Sequence, residues 1–95
     1  MVAKFIIRRL TKHKFDKGRF HFLSECIICA AEFKEGAEVT PLCCNVKHYF
    51  HHTCIVEWLK KKQECPLCRH EICAEELEVF ALSVDKMLIE QSFNH

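Results

Sequence analysis

The sequence predicts a small zinc-stabilised α+β domain. Two observations support this: four close pairs of cysteine and histidine occupy the middle of the chain, and the whole chain has only 95 residues. A chain of that length has room for one domain, and core packing alone leaves it marginally stable. The eight cysteines therefore indicate that disulfides or bound metal supply the missing stability.

The start of the chain favours metal over disulfides. Lys4, Arg8 and Arg9 interrupt any apolar stretch near the N-terminus, so we expect no secretory signal peptide. Reduced cysteines then indicate an intracellular protein, in the cytoplasm or nucleus, with a mitochondrial destination as an alternative suggested by the basic N-terminus. The longest uninterrupted apolar run, residues 26–31, is too short to span a bilayer, so no transmembrane segment is expected.

Charge divides the chain into three parts. Residues 1–24 carry a net charge of +6, the middle is near neutral, and residues 74–95 carry −4. Because the paired metal-type residues all fall in the middle, we predict a domain at 25–72 between a basic N-terminal extension (1–24) and an amphipathic C-terminal helix (73–95). With two glycines and no GxxxxGK[ST] or GxGxxG motif, a nucleotide-binding enzyme is not expected.

The elements are predicted from local patterns. Residues 2–10 fit either a strand or a helix, and residues 38–40 fit a short strand after a turn at 34–37. Thr53 is a candidate cap for a helix that runs through Ile55 and Leu59, which we assign to the core, to the lysines at 60–62. Pro66 prevents further helix. Residues 75–91 form the longest helix, with a seam of apolar side chains: Leu77, Phe80, Val84 and Met87.

The metal-type residues form four pairs that are each separated by two or three residues. They are Cys26-x2-Cys29, Cys44-x3-His48, His51-x2-Cys54 and Cys65-x2-Cys68. Each pair can bind one ion from a single turn, and eight ligands make two four-coordinate sites. Thiolate and imidazole in a closed tetrahedron select zinc and leave no position for water, so both Zn²⁺ ions should be structural.

This pattern resembles the RING-H2 finger over residues 26–69. The residues between the ligands agree with that family as well: Phe33, Gly36, Val39, Leu42, Ile55, Trp58, Leu59, Pro66 and Arg69. The resemblance implies an interleaved cross-brace, in which one zinc is bound by Cys26, Cys29, His51 and Cys54. The other is bound by Cys44, His48, Cys65 and Cys68. Cys43 remains an alternative to Cys44, because spacing does not fix a register of one residue.

The resemblance also implies a function in ubiquitin transfer. RING ubiquitin ligases receive a ubiquitin-conjugating enzyme (E2) in a shallow groove, and the matching positions here are Ile28, Trp58, Pro66 and Leu67. Arg69 matches the residue that bridges the E2 and ubiquitin. Such a ligase acts by holding the conjugate in an attack-ready geometry for a substrate lysine, without a covalent intermediate. Neither Cys43 nor Cys73 lies in a pattern that indicates an activated thiolate.

A second class of function stays open from the sequence. The chain could be a RING-like zinc-binding subunit that holds a larger assembly together without ligase activity. Residues 2–19 are basic and could bind a membrane surface or an acidic partner, or could pack on the domain or the acidic C-terminal tail. Val79, Leu82 and Ile89 lie off the apolar seam, so residues 75–91 could contact a partner helix or a second copy. No strong signal for nucleic-acid binding is present.

Overall fold

The computed structural model describes residues 2–93, with side chains described for residues 3–90, and within that range it has three helices and one sheet. The elements are, in chain order, α1 (Val2–Arg9), β1 (His13–Lys14), β2 (Glu38–Leu42), β3 (Asn45–His51), α2 (His52–Lys61) and α3 (Ala74–Phe93). This small α+β architecture confirms the predicted fold class.

The sheet is antiparallel, with β2 between β1 and β3. β2 follows a turn in which Gly36 adopts φ +85°, a conformation that glycine adopts without a steric penalty. The sequence predicted the first three residues of β2 and did not predict β3. Tyr49 and Phe50 of β3 are consecutive and both buried, so this strand lacks the apolar–polar alternation by which a half-buried strand is recognised.

Helix α2 starts two residues earlier than the capping prediction required. It begins at His52, directly after β3, and its N-cap position is His51, which makes no side-chain capping hydrogen bond. The prediction that Thr53 caps the helix is therefore wrong, because the chain passes from strand to helix without a turn. Ile55 and Leu59 are buried, as predicted.

The basic N-terminal segment packs within the chain. Residues 2–9 form α1, which contacts α2 and α3 and buries Ile6. Arg9, which interrupts the apolar face of α1, reaches α3, where its Nε donates to a carboxylate oxygen of Glu78. Its Nη1 donates to the carbonyl of Phe5 at 2.9 Å. Of the alternatives that the sequence left open for this segment, packing within the chain agrees with the structure, and α1 contacts both the domain and the acidic tail.

The residues between α1 and the first cysteine pair belong to the same core. Phe15 and Phe20 are buried, and their ring centroids lie 5.9 Å apart. Phe20 also meets Tyr49 edge-on, with centroids 5.0 Å apart. The Tyr49 hydroxyl donates to the carbonyl of Leu23 at 2.9 Å and accepts from the Leu23 backbone N–H at 2.6 Å. β3 thereby holds the segment that leads into the metal-binding region.

Helix α3 is longer than predicted and apolar on two sides. Leu77, Phe80 and Val84 of the predicted seam are buried, and Leu88 extends that seam.

Among residues 2–93, no helix combines the length and the apolar content needed to cross a lipid bilayer.

Candidate functional site

The eight paired cysteines and histidines lie in two groups. Within each group one ligand atom from every residue lies within 4.8 Å of the others. The first group is Cys26, Cys29, His51 and Cys54, and the second is Cys44, His48, Cys65 and Cys68. Since the pairs alternate between the groups along the chain, the segments that carry them are interleaved, as the RING-H2 resemblance implies. Cys44, and not Cys43, lies in the second group.

The distances within each group fit a tetrahedral zinc ion. Zn–S bonds of about 2.3 Å and Zn–N bonds of about 2.0–2.1 Å place sulfur and nitrogen about 3.6 Å apart in a tetrahedron. In the first group, Nδ1 of His51 lies 3.4 Å from the Cys29 sulfur and 4.0 Å from that of Cys54. In the second, Nδ1 of His48 lies 3.7 Å from the Cys44 sulfur and 3.6 Å from that of Cys65. Three sulfurs and one nitrogen per group form a donor set for zinc, so the chain can hold two Zn²⁺ ions.

The two CxxC pairs lie in turns with the same backbone. In the first turn, the Ala30 N–H donates to the Cys26 carbonyl at 2.7 Å, and in the second, the Arg69 N–H donates to the Cys65 carbonyl at 2.9 Å. The first residue after each pair has positive φ: +64° at Ala30 and +65° at Arg69. Ile28 and Leu67 occupy equivalent positions in the two turns. Only the cysteines and the flanking glutamates recur between the two segments, so their common backbone is not apparent as a repeat in the sequence.

A shallow groove beside the first group contains two of the four predicted E2-contact residues. Ile28 and Trp58 line it, together with Thr53, Glu57 and Lys61. The groove has a volume of about 390 Å³. Trp58 is held in place by its indole N–H, which donates to the Glu64 carbonyl at 2.8 Å. Pro66 and Leu67 are partly buried on the second turn and do not line this groove.

Arg69 lies on the surface of the second turn. It is exposed and borders a second shallow groove with Lys62, Glu64 and Glu71. No hydrogen bond or ion pair joins its guanidinium to another residue in the part of the chain that the structure describes. Five N–H donors are therefore available to a partner.

Comparison with known proteins agrees with this geometry. Residues 24–69 match the family model described as "Ring finger domain". The crystal structure of the RING-H2 domain of Arabidopsis RMR1 superimposes with a TM-score of 0.65 and 32% identity, covering 76% of this chain and 90% of that one. The chain belongs to the RING-H2 finger family.

Similar proteins of known name extend the comparison beyond the RING-H2 domain. Two proteins named E3 ubiquitin-protein ligase RNF181 are 40% identical (Xenopus tropicalis) and 50% identical (Xenopus laevis), each over 70 residues. A Drosophila melanogaster protein named E3 ubiquitin-protein ligase RNF181 homolog is 48% identical over 70 residues. The aligned region is 74% of this chain but 44% of each frog protein, so the chain spans less than half the length of those relatives.

The thiols of the second group interact strongly in this RING-H2 domain. The hydrogen bond from the Cys44 side chain lowers the pKa of Cys65, and the same pairing raises the pKa of Cys44. The Leu67 backbone N–H also donates to the Cys65 sulfur at 3.4 Å. Without a cation, the closely spaced thiols cannot all ionise together, whereas Zn²⁺ stabilises every thiolate at once.

An aromatic side chain packs against one of the two histidine ligands. The ring of Phe33 packs against that of His51, with centroids 4.8 Å apart. His52 points away from the metal groups, as predicted, and its Nδ1 lies 2.8 Å from the hydroxyl of buried Thr40. The contact with Phe33 fixes the His51 ring from outside and keeps its coordinating atom in place.

The two cysteines outside the groups lie near α3. Cys43 lines a groove with Glu75 and Phe80. Burial, with a smaller contribution from Glu76, raises its pKa to about 11. The Cys73 sulfur donates to a Glu76 carboxylate oxygen at 3.2 Å. Because the thiolate is the nucleophile, a raised pKa lowers the reactive fraction of Cys43 at neutral pH.

Proposed function

We propose that this chain is a ubiquitin-transfer module that binds an E2 carrying ubiquitin and promotes transfer of the ubiquitin to a substrate lysine. Its membership of the RING-H2 family and its similarity to proteins named E3 ubiquitin-protein ligase support this. The closed donor sets of the two metal groups leave no position for a reacting ligand, so the zinc ions stabilise the fold and take no part in the reaction.

The observation that carries the proposal is the groove that contains Ile28 and Trp58. Both side chains remain partly exposed although the domain is small and most of its large apolar residues are buried. An aromatic and an aliphatic side chain together in an open groove are suited to anchor an apolar residue of a partner protein. Glu57 and Lys61 at the rim add charges that can select among partners.

Arg69 is suited to bridge two partners. Its guanidinium has no partner among the described residues, so it keeps its donors for carbonyl groups of the E2 and of ubiquitin. A residue that touches both proteins restricts the flexible conjugate to fewer geometries. Such positioning accelerates aminolysis of the thioester without covalent chemistry on the ligase.

The test is discharge of ubiquitin from a panel of ubiquitin-loaded E2 enzymes onto free lysine, with and without the zinc-loaded chain. We expect Ile28→Ala and Arg69→Ala each to lower the stimulated rate at least ~10-fold, equivalent to about 1.4 kcal/mol. Ile27→Ala is the matched control, because Ile27 is an adjacent exposed side chain, 56% accessible, outside the groove. Its rate should not change. Zinc content and circular dichroism establish that each variant is folded.

The alternative function is that of a structural subunit without ligase activity. It is favoured if the wild-type chain stimulates discharge from no E2. If the wild type is active but Ile28→Ala and Arg69→Ala retain full activity, the roles proposed for these two residues are refuted instead. Arg69→Lys separates charge from geometry. Lysine retains the charge but lacks the planar set of donors, so we expect most of the stimulation to be lost in this variant as well.

A further inference from the structure

Helix α3 exposes a row of apolar side chains on the side away from the core. Val79, Leu82 and Ile89 are 67%, 87% and 52% exposed. Single exposed apolar residues are ordinary on protein surfaces, but three on one face of one helix form a patch. In the part of the chain that the structure describes, nothing covers them.

These residues follow the spacing of a coiled-coil seam. Glu75, Val79, Leu82, Lys86 and Ile89 recur at alternating intervals of four and three residues along α3. That repeat of 3.5 residues keeps one stripe facing a partner helix. Val79 and Lys86 take the a positions of the heptad, and Leu82 and Ile89 take the d positions.

Acidic residues flank this stripe. The neighbouring e and g positions are Glu76, Glu78, Ser83, Asp85 and Glu90. Glu78 contacts Arg9 of α1, which partly neutralises it from within the chain, and Asp85 lies 3.7 Å from Nδ1 of His13. Glu76 contacts His70 at 3.2 Å, and Glu90 lies on the same flank as Glu76.

These charges disfavour a second copy as the occupant. In a parallel pair of α3 helices, Lys86 would face Lys86 of the second copy in the seam, and Asp85 would face Glu90 of the second copy. In an antiparallel pair, the acidic flanks of the two copies would meet. Like charges at these positions select against self-pairing and in favour of partners of opposite charge.

We propose that the stripe Glu75–Ile89 of α3 docks an amphipathic helix of another protein, with apolar residues in its seam and lysine or arginine at its flanking positions. A groove of about 440 Å³ beside the stripe extends the surface. It is lined by Phe80 and Met87 from the core side of α3 and by Val79 from the stripe. Apolar side chains of the partner helix can enter this groove. The docking surface shares no residue with the groove at Ile28 and Trp58, and the proposal does not depend on ubiquitin transfer.

The test uses two fluorescein-labelled peptides of about three heptads and the full zinc-loaded chain, with binding followed by fluorescence anisotropy. Both peptides carry isoleucine and leucine in the seam; one has lysine and the other glutamate at the flanking positions. We expect the lysine peptide to bind at least ~10-fold more tightly than the glutamate peptide, and to weaken as salt is raised.

Variants of the chain locate the interaction. Leu82→Ser should weaken binding of the lysine peptide at least ~10-fold, because a central seam residue is lost. Ile27→Ser, the same type of change at another exposed aliphatic residue, should leave binding unchanged. Lys86→Leu should strengthen binding, because a charge in the seam opposes burial. Leu82→Ser should leave E2 discharge unchanged, so failure here and failure of the proposed ligase function are distinguishable.

Four outcomes would overturn the proposal. The first two are equal binding of both peptides and binding of neither. The third is a dimer of the chain alone, detected by sedimentation and dissociated by Leu82→Ser, which would make a second copy the occupant. The fourth is binding to phosphatidylcholine–phosphatidylserine vesicles that Leu82→Ser abolishes, which would make the face a membrane contact.

Discussion

Arg69 and Ala30 share a backbone conformation that neither residue prefers. Both lie at φ near +65° directly after a CxxC pair, where a side chain with Cβ is destabilised by about 1–2 kcal/mol relative to the right-handed conformation. Glycine would relieve that strain at either position. In the proposed function the guanidinium of Arg69 contacts a partner, whereas no contact is assigned to the methyl group of Ala30.

Glycine at the two positions should therefore separate stability from activity. We expect Ala30→Gly and Arg69→Gly each to raise the free energy of unfolding by roughly 0.5–1 kcal/mol. This net gain is the backbone strain that is relieved minus the larger conformational entropy that glycine loses on folding. Denaturant titration at fixed free zinc measures this. Only Arg69→Gly should lose stimulation of E2 discharge; equal activity of the two variants would refute a bridging role for Arg69.

His13 gives a prediction about pH. Burial lowers its pKa below the usual 6.5, and this effect outweighs the opposing attraction of Asp85. The unfolded chain therefore takes up this proton first as the pH falls below about 6.5, and folding stability declines until the folded state is protonated too. The slope from one such proton is at most about 1.4 kcal/mol per pH unit.

We expect His13→Gln to flatten the decline in unfolding free energy between pH 7.5 and pH 6. The measurement is denaturant titration across that range with zinc content determined at each pH, because protonation of cysteine ligands would also destabilise the domain. An unchanged slope in the variant would mean that His13 titrates with the same pKa in the folded and unfolded chains.

At the level of residues, the sequence was most informative where the chemistry is local. Each CxxC pair lies on one turn, and the ligands of the other two pairs have only two or three residues between them, so the four pairs could be read from spacing alone. Spacing could not decide between Cys43 and Cys44 as the ligand, because that choice depends on how the chain turns between β2 and β3. The structure brings Cys44 to the second metal group and Cys43 against α3.

At the level of elements, periodic patterns predicted helices well and the sheet poorly. Helix α3 has a regular apolar seam, so it was predicted to within two residues at each end. In β3, His48 and His51 belong to different metal groups and interrupt any apolar pattern, while Tyr49 and Phe50 are buried together. The state of residues 2–10 was also left open, because α1 depends on packing against α2 and α3 for its stability.

Two hydrogen bonds between Tyr49 and Leu23 join β3 to the N-terminal segment, and a substitution of Tyr49 tests their contribution. Tyr49→Phe leaves the buried ring in place but removes both hydrogen bonds to Leu23. We expect a loss of about 1–3 kcal/mol, because the Leu23 backbone groups are left without this partner. Hydrogen exchange should show faster exchange of the Leu23 amide; an unchanged rate would mean that other contacts hold this segment.

At the level of the whole molecule, the two metal groups are coupled through a shared strand. β3 carries His48 for the second group and His51, its last residue, for the first. A structural zinc contributes on the order of 10 kcal/mol, which is comparable with the total stability of about 5–15 kcal/mol of an ordinary domain. Zinc binding and folding should therefore occur as one process.

We expect a strong chelator to abolish the circular dichroism of the folded chain, and added Zn²⁺ to restore it.

The coupling predicts a further effect. Cys29→Ala, which removes a ligand of the first group only, should also weaken zinc binding at the second group, because the end of β3 loses its anchor. Native mass spectrometry should then find fewer than one zinc ion per chain. Cys73→Ser, a change outside both groups, should retain two. If Cys29→Ala instead keeps one zinc ion with undiminished affinity, the groups fold independently, and the interleaving of the chain does not contribute to stability in the way we infer.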